Sequence, residues 1–243
     1  MKRDDDTEGP AHERETPAEE NPVEPERRLV KTGFASKVWG FLRRPATTFR
    51  AVREQTLSST LKYALTCLVI FGAAAGIIDA VLGADLLFEP GLGRLADRLV
   101  AILVTTGLSI AGGMTFIFGG GAWTHLWVKL LGGRQGHSYR QTLKALSYGT
   151  TPTYLLGWLP IAIVGGADSI EATTLIWAAT PIWAAIPIWA LVLTIIGLRE
   201  LHEMTTGRAM AVYLLAVLIA VLVAVFLIGA YLLHLFIYSL SMR

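Results

Sequence analysis

Residues 61–82 read LKYALTCLVIFGAAAGIIDAVL, an apolar run with one lysine near its start and one aspartate near its end. A stretch close to the roughly 20 residues that carry an α-helix across about 30 Å of hydrocarbon is read as a membrane span. Four more runs follow, Leu99–Trp123, Tyr148–Val164, Thr174–Leu198 and Ala209–Tyr238. The expected fold is therefore all-α, a polytopic transmembrane helical bundle of about five spans, its membrane domain covering residues 61–240. With 53% hydrophobic and 16% charged residues among 243, the chain has too little polar surface to enclose these runs in water. The third run is the shortest and holds Pro152, Gly157 and Pro160. A re-entrant third segment would give four spans and put both termini on one side.

Upstream of the first run the chemistry changes twice. Residues 1–30 carry Asp4-Asp5-Asp6, Glu19-Glu20 and four prolines with almost nothing apolar, the composition of a disordered tail. They have no apolar core of the kind a secretory signal needs, so the first span is expected to stay in the mature protein. Across residues 31–60, Phe34, Val38, Phe41, Leu42, Phe49 and Val52 recur at helical spacing, with Lys37, Arg43, Arg44, Arg50 and Arg53 set mainly between them. Pro45 disfavours the helical region for Arg44, so two short helices should meet there. Their apolar stripe suits either an anionic bilayer surface, with the cations toward the headgroups, or the protein's own cytoplasmic loops.

Cation placement sets the orientation. Of 21 Lys and Arg, twelve lie up to Lys62, four on the second connection (Lys129, Arg134, Arg140, Lys144) and two on the fourth (Arg199, Arg208). Arg94, Arg98 and Arg243 alone fall on the other side. The positive-inside rule then expects a multi-pass cell-membrane protein with a cytoplasmic N-terminus and an external C-terminus. Trp123, Trp127 and Trp158 suit interfacial aromatic belts.

Within the spans, Gly72, Gly76, Asp79 and Gly83 share one helical face, a small-residue groove carrying a carboxyl group. Asp79 is a functional candidate by default, although its place near the outer end also suits capping or a headgroup contact. The second span holds Gly112 and Gly113 among several glycines, a sequence for close packing or bending. Gly119–Gly121 lacks the Lys and Ser/Thr of a phosphate-binding loop. Pro181 and Pro187 should kink the fourth span, and Ala216, Ala220 and Ala224 give the fifth a packing stripe.

No catalytic or metal constellation emerges. Cys67 has no cysteine to pair with, and His125 has no second ligand at metal spacing, so an interfacial hydrogen bond is its expected role. His202-Glu203 begins a zinc-protease signature, but Thr206 stands where the second histidine belongs. There is no G-x-S-x-G elbow. The protein is accordingly expected not to be an enzyme, and no cofactor is expected.

The second connection runs Leu131-Gly132-Gly133 to Ser138-Tyr139-Arg140-Gln141-Thr142, where Ser138 and Gln141 form a capping box opening a short basic helix. With Trp39, Arg44-Pro45, Tyr148, Pro152, Gly197-Leu198-Arg199, His202 and Thr206-Gly207-Arg208-Ala209, this order of features resembles the Yip1-domain membrane proteins, in a prokaryotic form, over residues 34–238. The resemblance implies five spans, a cytoplasmic N-terminus and no enzymatic chemistry. Eukaryotic members are associated with Rab-type small GTPases and vesicle traffic, a partner this chain is not expected to share.

The reading that follows is an interaction or membrane-organising module. Arg43, Arg44, Arg134, Arg140, Lys144, Arg199 and Arg208 would form a basic cytoplasmic face toward anionic lipids or an unidentified protein, and the small-residue stripes could serve a second copy of the chain. Nucleic acid is not an expected partner. The alternative is a small transporter or channel using Asp79 and the glycine-rich second span.

Overall fold

A computed structural model describes residues 33–82, 94–131, 138–165 and 169–241. All its regular structure among those residues is helical. The tail assigned to residues 1–30, together with Gly83 and Arg134, lies outside the described residues.

Two short helices come first, α1 (Phe34–Arg43) and α2 (Pro45–Val52), separated at Arg44 as the proline requires. Arg44 leaves the helical region with φ −137° and ψ 63°, and Pro45 starts α2, where a missing N–H costs nothing. The carbonyl of Arg44 accepts from the hydroxyls of Thr47 at 3.0 Å and Thr48 at 2.8 Å, fixing the elbow.

The apolar stripe of this elbow turns into the protein. Phe41 and Phe49 are fully buried and pack edge to face at 4.8 Å, and Phe41 stacks on Tyr148 at 4.7 Å. Each such side chain contributes about 1.5–3 kcal/mol by leaving water. Of the two environments the stripe suits, the chain's own helices are the one it meets.

The first apolar run becomes α3 (Leu57–Leu82). The second becomes a rod made of α4 (Arg94–Thr115), a π turn at Phe116–Gly120 and α5 (Gly121–Leu131). α3 and α4 meet through the predicted groove: a Cβ at Gly72 would lie 2.7 Å from Thr106 Cα, and one at Gly76 2.8 Å from Ile102 Cα. Only glycine permits so close an approach, so the stripe on the first span is satisfied within one chain.

The third run does not form one helix. It is divided among α6 (Tyr139–Gly149), α7 (Thr151–Leu156) and α8 (Leu159–Gly165), with breaks ahead of Pro152 and Pro160. α6 begins at Tyr139 as expected, yet Ser138 makes no side-chain capping bond; its carbonyl accepts from Gln141 N at 3.0 Å instead.

α9 (Ser169–His202) carries Pro181 and Pro187 inside a single helix, and α10 (Thr206–Ser241) ends the bundle. Four helices are thus long and apolar enough to cross a bilayer, at Leu57–Val81, Leu95–Leu131, Thr174–His202 and Thr206–Leu235. The expected count of five is approximate, because the third segment is broken. Contacts still fix its direction: Tyr148 and Thr151 meet Tyr63, while Tyr154 and Gly157 meet Phe71, so α6–α8 run alongside α3 in the same sense.

α9 returns antiparallel, with Thr194 against Gly149 and Gly197 against Ala145. It stops in a tight turn where Glu203 adopts φ 51° and Met204 N donates to Arg199 O at 3.1 Å. This is a Schellman-type end with glutamate where glycine is usual. On α10, Ala209, Val212 and Ala216 are buried against the bundle, but Ala220, Ala224 and residues 225–235 are exposed. Most of the expected alanine stripe is therefore left exposed among the described residues.

Candidate functional site at the cation-rich end

The elbow, the start of α6, the end of α5 and the α9–α10 turn converge at one end of the bundle. Six polar contacts connect the elbow and the residues just after it, α6 and the α9–α10 turn. Lys37 Nζ donates to Gln55 Oε1 at 3.3 Å, and Tyr148 Oη donates to the same oxygen at 2.9 Å. Lys144 Nζ donates to Arg53 O at 2.6 Å. Arg50 pairs with Glu200 at 2.6 Å, Arg199 pairs with the same carboxylate, and Arg53 pairs with Glu203. Together with Met204 these five charged side chains line an open cleft of about 480 Å³.

Next to that cleft lies an inner polar bridge. His125 Nδ1 stands 3.0 Å from Thr142 Oγ1, and the same hydroxyl stands 3.0 Å from His202 Nε2. All three residues are buried, and the two imidazole centroids are 6.5 Å apart. One hydroxyl therefore joins α5, α6 and α9. Beside it Tyr139 packs its ring on His125 at 5.5 Å and donates its hydroxyl to Phe118 O at 2.9 Å, a carbonyl of the π turn.

The sequence-predicted cations separate into two groups here. Arg43, Arg44, Arg140 and Arg208 are exposed, with the Arg43 guanidinium 4.1 Å over the exposed Trp39 ring. Arg199 is half-buried in its ion pair and reaches Thr206 Oγ1 at 3.4 Å. Lys144 is only 6% exposed; burial first, and neighbouring Arg140 second, hold its pKa below the ordinary lysine value. Its ammonium secures α2 to α6 and does not face outward.

The intramembrane candidates separate too. Gly72, Gly76 and Gly113 are contact points, the last placing a Cβ 2.1 Å from Leu68 Cδ2, whereas Gly112 borders open space. Asp79 is half-buried one turn before the end of α3, far along the chain from the cation-rich end. Trp123, expected in an interfacial belt, donates its indole N–H to Ala216 O at 2.8 Å and so fastens α10 to α5.

Sequence reasoning did not foresee the Arg50–Glu200 and Arg53–Glu203 pairs or the histidine bridge, which join residues 17 to 150 positions apart. The available signals were slight: His202-Glu203 stood out for a zinc motif it does not complete. Among the described residues, no three His, Cys, Asp or Glu side chains gather as a metal site.

This architecture defines a multi-pass helical membrane protein with a polar, ion-paired end. Its sequence matches the family described as the Yip1 domain over residues 39–237, and the chain belongs to that family. No curated protein and no solved structure matches it.

Proposed function

We propose that this Yip1-domain protein is a non-catalytic interaction or membrane-organising module of the cell membrane, its N-terminus cytoplasmic and its C-terminus outside. Its cation-rich end takes anionic lipid headgroups, and through them or beside them a protein partner. In this reading residues 1–30 are a solvated tail, and residues 31–60 join the membrane domain to the leaflet. One observation carries it: Phe41, Phe49 and Val52 of the elbow are committed to the core, while Arg43, Arg44, Arg140 and Arg208 are left exposed around a single end. Cations so placed gain about 1 kcal/mol each near an anionic leaflet. Trp39, 55% exposed beneath Arg43, supplies the amphipathic ring that favours an interface.

The test is lipid recovery. The protein is reconstituted in mixed anionic and zwitterionic vesicles, re-extracted in mild detergent, and its bound lipid measured. Anionic lipid should be enriched, and reversing Arg43, Arg44, Arg140 and Arg208 to glutamate should abolish the enrichment; equal recovery by the variant would remove the assignment. The transporter alternative would use Asp79, and Asp79→Asn should then stop a flux in vesicles. The closed contact at Gly72 and Gly76 weighs against a pathway along that face.

A further inference from the structure

We propose that the acidic stretch of the chain's own N-terminal tail, residues 4–26, docks on the basic end of the bundle and is displaced from it by anionic lipid headgroups. The inference rests on the reading of that end as the headgroup-facing site, and it adds an internal competitor for it. Charge supplies the first half of the argument. Residues 4–26 hold ten of the 19 carboxylates and a single cation, Arg14, a net charge of −9. The rest of the chain holds 20 cations and nine carboxylates, a net charge of +11. The modest total of +2 therefore conceals two opposed regions. Even counted with Lys2, Arg3, Arg27 and Arg28, residues 1–30 keep a net charge of −5, so their own cations do not neutralise them.

The fold supplies the receiving surface and the tether. Arg43, Arg44, Arg140 and Arg208 are exposed, and among the described residues none of them forms an ion pair. Glu200 and Glu203, the carboxylates of the cleft, are already held by Arg50, Arg199 and Arg53. The described fold begins at Gly33, and Phe34 packs on Tyr63 with ring centroids 5.2 Å apart, so the tail joins the bundle at this same end. From there α1 runs ten residues to Arg43, about 15 Å at the helical rise. Residues 27–33 can extend about 23 Å. Glu26 is therefore within reach of Arg43 and Arg44, and the carboxylates before it have further chain with which to reach Arg140 and Arg208. Covalent attachment makes each contact intramolecular, an advantage that the acidic segment of another protein would lack. The single pairs are weak and screened by salt, which leaves the same guanidinium groups open to a dense anionic leaflet.

The experiment reads a distance inside the full-length protein. Ala18→Cys and Ser138→Cys are introduced on a Cys67→Ser background, placing one spin label within the acidic stretch and one on the exposed residue that precedes α6. In zwitterionic vesicles at neutral pH and low salt, a short-distance population should be present. Adding anionic lipid to the vesicles, or raising the salt, should remove it. Changing the ten carboxylates of residues 4–26 to their amides should also remove it, as should reversing Arg43, Arg44, Arg140 and Arg208 to glutamate. Absence of the short distance in zwitterionic vesicles, or its survival in either charge variant, would overturn the docking. Its survival in anionic vesicles would overturn the displacement. Failure of the underlying reading shows separately, in the lipid recovered with the amide variant, whose exposed cations have no internal competitor. Greater anionic enrichment there than in the parent protein supports the exchange. No enrichment in that variant, with the short distance intact in the parent, would remove the headgroup reading and the displacement while leaving the docked tail in place.

Discussion

Phe41 shows how a single side chain can decide whether a segment belongs to a fold or merely lies beside it. Its ring contacts Phe49, Tyr63 and Tyr148, rings contributed by α2, α3 and α6. Phe41→Ala should cost about 3–5 kcal/mol, the usual range for a fully buried phenylalanine. The check is denaturation in detergent with limited proteolysis, where cleavage around residues 33–56 should accelerate before the membrane helices open. Leu42, half-buried on the neighbouring face, should cost much less on the same substitution. The periodicity of this segment was plain in the sequence. What its apolar face would touch was not, because hydrophobic spacing reads the same against lipid as against Tyr148. His125 illustrates the complementary gap: a lone histidine in sequence acquires its partner, His202, only through long-range packing.

Among the elements, α3 and α4 are the pair whose contact was most legible. Glycines four residues apart in an apolar helix announce close approach, and Gly72 and Gly76 deliver it against Thr106 and Ile102. Side chains introduced there must push a backbone aside. Gly76→Leu should therefore destabilise the protein by about 1–3 kcal/mol, as overpacking generally does, while Gly112→Leu, facing open space, should change little. Comparing unfolding midpoints of the two variants tests the assignment of these glycines to opposite outcomes. The third run was legible as apolar but not as broken. Prolines 152 and 160 made the interruption foreseeable, yet α9 contains two prolines and stays a single helix, so proline count alone could not distinguish them. In α7 and α8 the proline stands at or next to a helix start, where its missing N–H is tolerated.

For the whole molecule, the relative directions of α3, α6–α8 and α9 bear on the topology expected from the cation count. α6–α8 run with α3, and α9 runs against them, so the chain reverses between successive long segments despite the broken third one. Cysteine-accessibility labelling on a Cys67→Ser background provides the check. A cysteine at Ser58 should react only from the cytoplasmic side, and one at Met242 only from outside. Labelling of both from one side would replace the proposed five-crossing arrangement with the re-entrant one. Composition conveyed the membrane class at once, whereas the polar end had to be assembled from four distant segments before it could be seen.

α10 has a reach that its neighbours do not restrain. Its apolar stretch Thr206–Leu235 is 30 residues long, about 45 Å at the helical rise, while the hydrocarbon layer measures about 30 Å. Past Ala216 the bundle does not cover it, so the surplus is met by leaning, by projecting past the headgroups or by thickening the lipid around it, each at a small cost per ångström of mismatch. Bilayer thickness thus becomes a variable to which this protein is physically coupled, through a helix whose second half packs outside the core.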